Sequence, residues 1–187
     1  MFIIAILNKS GIKLNITKTS YKERPLKILK KYSYYYNQTL YVITVKCCMQ
    51  IRELDLKELE MAYGVLRQLR SELSYKEFED LIYDMRYMNY TMFGIVEGEE
   101  LITYAGASVQ TNLYHKRHLY VFDLVSDDKY KSKGYGAMML EFLSDYARAS
   151  MCQNIVLSSS FARVDAHRFY EKNGFEKKSY IFLKTLV

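Results

Sequence analysis

The chain has 187 residues, of which half are apolar and 26% are charged, and these values are typical of a globular protein with a sizeable core. Its apolar runs, including residues 1–7, are too short for a membrane span or a signal peptide, so no membrane partner is expected. The three cysteines, Cys47, Cys48 and Cys152, form no disulfide framework or zinc spacing, which predicts a reduced, cytoplasmic protein.

The net charge of +6 is unevenly distributed. Residues 1–48 contain nine Lys and Arg and one acid, whereas residues 49–187 contain 18 basic and 20 acidic residues. We interpret residues 1–48 as a basic extension of unknown role. It is either solvated or an upstream stretch outside the natural product, with Met49 as the true start. A nucleic-acid-binding arm is the less favoured alternative. Within this segment, residues 40–45 have the composition of a strand.

From residue 49 the pattern predicts one domain that begins with a strand and two helices. Apolar residues recur at spacings of three and four from Leu56 to Leu69, which indicates the first helix. Ser74 and Glu77 form a capping box that opens the second helix. A hairpin follows over residues 91–109.

The second half of this domain alternates strands and helices. Residues 119–125 are almost continuously apolar, as in a central strand covered on both faces. A helix over 137–147, a strand over 155–157, a helix over 164–172 and a last strand over 179–186 complete the pattern. The predicted architecture is a mixed sheet with helices on its faces.

A glycine-rich stretch joins the central strand to the following helix. Lys131, Gly134 and Gly136 stand where unsatisfied N–H groups at a helix start and the helix dipole favour an anion. No Walker-type string is present, because the lysine precedes the glycine. A dinucleotide fingerprint would need a third glycine where Met139 stands. The stretch therefore predicts a phosphate site of another kind.

Residues 124–136 resemble motif A of the GNAT acetyltransferase superfamily, in which Arg or Gln, two residues, Gly, one residue, and Gly or Ala follow a strand. Lys131 stands where the family has Arg or Gln, and it keeps the charge but gives up bidentate geometry. Residues 166–175 are similar to motif B, with Phe169-Tyr170 followed by Gly174-Phe175. The resemblance covers residues 49–187.

This resemblance implies an α/β (α+β) GNAT fold, with a mixed, mostly antiparallel sheet of about six to seven strands flanked by about four helices. It implies acetyl-CoA as co-substrate, no metal, and direct attack by a primary amine of a small molecule or protein in a ternary complex. The alternative is a non-catalytic acyl-CoA-binding module that acts as a sensor or partner. The acceptor amine is unnamed, and homodimer formation stays open.

The resemblance also assigns residues to the cofactor. The pantetheine arm would pair like an added strand with Leu124, Val125 and Ser126. Arg163 stands where many members have an Asn that contacts the cofactor. The pyrophosphate would lie on Lys131, Ser132, Lys133, Gly134, Tyr135, Gly136 and Ala137.

Two residues are candidates for catalysis. Tyr170 aligns with the tyrosine that often protonates the departing thiolate, the alternative being that it only packs against the cofactor. Asp123 is the charged residue within an apolar strand, and a buried carboxylate needs a reason. It would serve as a base or as an anchor for the ammonium group. The alternative is a structural hydrogen bond to a Tyr or Ser. Residues 70–74, between the first two helices, would border the acceptor.

Overall fold

In a computed structural model the chain divides into two compact units, Met1–Lys46 and Cys47–Val187. The structure describes residues 49–186 in full and, before them, the backbone of four strands, which form two separate two-stranded sheets. The strands are β1 (Phe2–Asn8), β2 (Gly11–Thr17), β3 (Ile28–Tyr36) and β4 (Thr39–Cys47). The strand predicted over 40–45 is confirmed within β4. The side chains on which the basic-arm interpretation of residues 1–48 depends lie outside the described residues.

The second unit is built on a five-stranded sheet of order β5-β6-β7-β8-β9. Its strands are β5 (Met49–Glu53), β6 (Tyr90–Glu97), β7 (Glu100–Asn112), β8 (Lys116–Ser126) and β9 (Asn154–Leu157). Neighbours from β5 to β8 pair antiparallel, whereas β8 and β9 pair parallel. A parallel pair needs a crossover connection, and here a helix supplies it.

Four helices flank this sheet. They are α1 (Leu59–Leu66), α2 (Tyr75–Arg86), α3 (Tyr135–Ala149) and α4 (Val164–Lys172). Buried side chains of α1 and α2 form one core with one face of the sheet, and those of α3 form a second core with the opposite face. Among the described residues, no helix has the length and apolar character to cross a bilayer.

The helix boundaries follow local signals in the sequence. Ser74 caps α2 in a complete capping box with Glu77, as predicted. The predicted helix over 164–172 is confirmed as α4, and Gly174 takes a left-handed φ of 84° just beyond its end. The first helix is shorter than its apolar pattern, because it opens as a 3-10 turn at Leu56–Glu58.

The expected mixed, mostly antiparallel sheet with flanking helices is confirmed, but this sheet has five strands rather than six to seven. The strand predicted over 179–186 is wrong, since residues 175–186 form neither helix nor strand. Large apolar side chains of this segment are exposed, with Phe182 at 94% and Leu183 at 90%. An apolar β-prone pattern describes only propensity, and a strand also needs a partner for its backbone hydrogen bonds.

Candidate active site

The site forms where β8 extends beyond the end of β9. Parallel pairing runs from His118 opposite Asn154 to Val121 opposite Leu157, and β8 then continues to Ser126. In the described part of the chain, no strand lies beside this edge of residues 122–126. The other edge is paired to β7. The stretch predicted to hold the pantetheine, residues 124–126, therefore has an edge open for an extended ligand.

A β-bulge in β8 determines which way Asp123 points. Ala107 of β7 pairs with Val121, and Gly106 pairs with Asp123, so Phe122 is an extra residue between the two pairs. In a regular strand Val121 and Asp123 would share a face. Because of the bulge, Val121 packs in the core under α3, whereas Asp123 faces the α1–α2 side.

Asp123 forms an ion pair with Arg70, which lies in the loop between α1 and α2. The Asp123 Oδ1 atom is 2.8 Å from Arg70 Nε and 2.7 Å from Nη2. The carboxylate side chain is 12% exposed and the guanidinium side chain 51%. The partner is thus an arginine, rather than the Tyr or Ser of the structural alternative. The sequence gives no signal for this pairing beyond the position of Arg70 at the start of the loop predicted to border the acceptor.

A cavity of about 580 Å³ lies beside this ion pair, between α1, α2 and β8. Its volume falls in the range of small-molecule sites. The wall is mostly apolar and includes Leu66, Leu69, Phe78, Ile82, Met85 and Phe122. Tyr90 also lines it, and the ring of Tyr90 meets that of Phe122 edge to face at 5.6 Å. The arrangement can bind an apolar group next to one carboxylate and one guanidinium group.

Two buried tyrosines, Tyr90 in the cavity wall and Tyr104 behind it, are hydrogen-bonded to each other. The hydroxyls of Tyr90 and Tyr104 are 2.8 Å apart, and burial raises the pKa of both phenols well above the ordinary value. The Tyr90 hydroxyl lies directly over Gly106, where an added Cβ would be 1.7 Å away. A glycine inside a strand often marks such a close approach. Gly106 is therefore the sequence feature that could have indicated the buried Tyr90–Tyr104 pair.

Tyr170 lies on α4, half-buried against the rings of Phe169 and Phe175 at 5.4 and 5.7 Å. Burial raises the pKa of Tyr170, the neighbouring Arg163 lowers it, and Asp123 raises it further. The phenol therefore carries its proton at neutral pH. The charges of the predicted residues Arg163 and Asp123 thus both act on the Tyr170 phenol.

Arg163 precedes α4 and contacts the loop that also carries Arg70. Its Nη2 donates a hydrogen bond of 3.1 Å to the Leu69 carbonyl, and Leu69 lines the cavity. Arg163 therefore joins the start of α4 to the cavity wall in this structure. Its predicted contact with the cofactor stays a prediction.

The glycine-rich loop ends at the start of α3. Gly134 caps the helix with a left-handed φ of 87°, and the first helical hydrogen bond runs from the Met138 N–H to the Gly134 carbonyl at 3.1 Å. The N–H groups of residues 135–137 precede that bond and have no acceptor within the helix. Gly136 also allows close packing of α4, since an added Cβ would lie 3.1 Å from Phe169 Cζ.

The two lysines of the loop are held by local contacts. Lys131 forms an ion pair with Asp128. Lys133 Nζ donates to the Lys129 carbonyl at 2.9 Å and lies 5.0 Å above the centre of the Tyr130 ring. Both ammonium groups thus lie within a few residues of the α3 N-terminus, where an anion is favoured.

Two contacts attach this loop to the rest of the second unit. The Tyr130 hydroxyl donates to Glu100 at 2.5 Å, and this bond is the main cause that raises the pKa of Tyr130 to about 12. Gln68, just beyond α1, accepts from the Asp128 N–H at 2.9 Å and donates to Asp127 at 3.3 Å. The loop is therefore tied to both the β6–β7 hairpin and the α1–α2 loop.

Comparison with known proteins shows which family the chain resembles. The acetyltransferase (GNAT) family model matches residues 51–175. The chain is 35% identical over 132 residues to the uncharacterized N-acetyltransferase YhdJ of Bacillus subtilis (strain 168), covering 70% of this chain and 93% of that protein. It is 23% identical over 140 residues to the aminoalkylphosphonate N-acetyltransferase of Salmonella typhimurium, covering 73% and 91%.

The fold also matches a solved enzyme of this kind. The aminoglycoside N-acetyltransferase AAC(6')-Iy, solved in complex with CoA, superposes with a TM-score of 0.67 at 13% sequence identity, covering 74% of this chain and 95% of that one. The family match, the curated relatives and the shared fold agree. The chain therefore belongs to the acetyltransferase (GNAT) family.

Proposed function

We propose that this protein transfers an acetyl group from acetyl-CoA to a primary amine of a small molecule or protein, by direct attack in a ternary complex. One observation carries the proposal. The edge of β8 is open at residues 122–126, its residues Phe122 and Asp123 line the cavity, and the chain continues from Ser126 into the loop that precedes α3. A donor on the edge and an acceptor in the cavity would meet at the bulge.

The donor fits the residues present at the start of α3. The pyrophosphate would accept hydrogen bonds from the N–H groups of residues 135–137, with Lys131 and Lys133 adding positive charge. The pantetheine amides would pair with residues 124–126 as an added strand does. The CoA bound by the superposed aminoglycoside enzyme supports the same class of donor.

The proposed chemistry needs one base and one acid. The acceptor ammonium, anchored by Asp123, loses a proton to solvent, and its nitrogen attacks the thioester carbonyl carbon. The C–N bond forms, the C–S bond breaks, and the nitrogen gives up its second proton to solvent, which afterwards restores the proton that Tyr170 donates. Tyr170 donates its proton to the departing thiolate. This transfer is slightly uphill in water, since a phenol has a pKa near 10 and a thiol one near 8.5.

Release of free thiol from acetyl-CoA across a panel of amines tests the proposal. We expect amine-dependent release with at least one class among amino acids, arylalkylamines, polyamines, aminoglycosides and peptides. Saturable CoA binding without release for any amine would instead support the acyl-CoA-binding module. The cytoplasmic location expected from the sequence stays a prediction.

Gly134→Ala tests the pyrophosphate site. An added Cβ would meet no atom within 4 Å, so the change acts through the left-handed backbone, which costs an L-residue about 1–2 kcal/mol. We expect the dissociation constant for CoA to rise about tenfold in titration calorimetry. Pantetheine lacks the pyrophosphate, and its binding should be unchanged. Equal weakening of both ligands would place the pyrophosphate elsewhere.

A further inference from the structure

The ion pair beside the cavity carries information about the acceptor, on the assumption that the proposed acetyl transfer is correct. Asp123 is almost buried, and the half-exposed Arg70 contacts it from the loop between α1 and α2. An incoming group that approaches Asp123 therefore also approaches the guanidinium. The acceptor therefore meets a positive guanidinium and a negative carboxylate in contact with each other, rather than a single carboxylate.

Other charges of the lining are directed to local partners. Glu77 accepts hydrogen bonds from the backbone N–H and the hydroxyl of Ser74, at 3.0 and 2.6 Å, in the α2 capping box. Glu72 accepts one from the Ser71 hydroxyl at 3.1 Å. Both of these carboxylates keep their charge, but of the described carboxylates that line this cavity only Asp123 is paired with a cation, so a plus and a minus meet only at Asp123 and Arg70.

A molecule that carries both charges matches the pair best. The ammonium group of a simple amine would be attracted by Asp123 but repelled by Arg70 at a similar distance. An anion would be attracted by Arg70 but repelled by Asp123. A zwitterion can place its ammonium on the carboxylate and its carboxylate on the guanidinium, so both charges stay compensated as water leaves the site. The guanidinium also holds a carboxylate in a bidentate geometry.

The rest of the cavity accepts an apolar substituent. Side chains from α1, α2 and β8 supply the wall, and its volume of about 580 Å³ leaves room for a large aliphatic or aromatic group. Burial of such a group would stabilise the complex, because its apolar surface is removed from water.

We propose that the acceptor is an α-amino acid with an apolar side chain. Its ammonium would contact Asp123, its carboxylate would contact Arg70, and its side chain would fill the cavity. The reaction is the acetyl transfer described above, and its product is an N-acetylated amino acid. Arg70 is then a substrate-binding residue that selects for the carboxylate.

Matched acceptors test this assignment directly. L-Leucine is compared with L-leucinamide and with 3-methylbutylamine, and L-phenylalanine with 2-phenylethylamine. These comparison compounds keep the amine and the side chain but lack the negative charge. We expect kcat/KM to be at least about tenfold higher for the amino acids, a difference of about 1.4 kcal/mol. Spermidine and kanamycin complete the panel, and a higher kcat/KM for either would overturn the proposal.

A variant then tests the role of Arg70. In Arg70→Ala the preference for leucine over 3-methylbutylamine should fall to about onefold, and Arg70→Lys should retain part of it. The control is Arg148→Ala, which removes an arginine paired with Asp145 on the exposed face of α3, and it should keep the full preference. A preference that survives Arg70→Ala would also overturn the assignment.

Binding separates this inference from the proposed function. Titration of leucine or phenylalanine into the protein with CoA present reports on the acceptor site without turnover. We expect saturable binding that Arg70→Ala weakens at least tenfold. Absence of binding for both amino acids would refute the acceptor class even if other amines are acetylated. Binding without acetyl transfer would instead refute the enzymatic function and leave the acceptor class supported.

Discussion

Tyr170→Phe is expected to lower kcat by about 10²-fold while the KM for acetyl-CoA changes by less than about twofold. A positioned general acid contributes about 10²–10⁴-fold to rate, and only the hydroxyl is lost in this variant. The ring of Phe would retain the contacts with Phe169 and Phe175. Steady-state kinetics at saturating amine would separate the rate effect from a binding effect.

The control for this variant is Tyr146→Phe. Tyr146 lies on α3 and packs its ring at 4.9 Å from that of Phe93, away from the site, so kcat should be unchanged. If Tyr170→Phe also retains the normal kcat, the tyrosine only packs against the donor. That result would remove the acid role and leave the family assignment intact.

The protonation state of Tyr170 predicts how kcat depends on pH. Burial raises the pKa of Tyr170 above its ordinary value of 10, so the protonated form persists to higher pH than in water. The contribution of this acid should therefore be constant through neutral pH and fall only as the pH passes the raised pKa. A loss of kcat between pH 7 and 9 that Tyr170→Phe abolishes would contradict this assignment.

Local signals in the sequence predicted the parts of the site that depend on backbone conformation. Gly134 at the start of α3 and Gly174 at the end of α4 have left-handed φ values, which glycine adopts without steric cost. Ser74 and Glu77 likewise specify the start of α2 within four residues. Such features require no knowledge of distant contacts, so motif and capping rules located the loop proposed to bind the donor and the helix that carries Tyr170.

Contacts between distant segments were not predictable in the same way. Arg70 and Asp123 are 53 positions apart, and their pairing depends on the bulge at Phe122, which leaves no mark in an apolar strand. The pairing of Tyr90 with Tyr104 depends on the register of β6 against β7. The wrong strand over 179–186 has the same origin, because a strand pattern does not specify a partner. The acceptor side of the site is thus where the structure adds most.

Gly106→Ala is expected to destabilise the second unit by about 3 kcal/mol. The new Cβ would lie 1.7 Å from the Tyr90 hydroxyl and 2.3 Å from Tyr90 Cζ, so the buried ring must move and its hydrogen bond to Tyr104 must break. Urea unfolding followed by circular dichroism measures the loss. Because Tyr90 lines the cavity proposed to bind the acceptor, the KM for the acceptor should rise in the same variant.

A matched glycine and a double-mutant cycle identify the cause of that loss. Gly64 lies within α1 with no atom near an added Cβ, so Gly64→Ala should stabilise the protein by up to about 1 kcal/mol. If the Tyr90 ring is the obstacle, Gly106→Ala should cost far less in a Tyr90→Leu background, where the ring is absent. Strictly additive costs would mean that the β7 backbone opposite Asp123 cannot accept a side chain at this position, and that Tyr90 is positioned independently of Gly106.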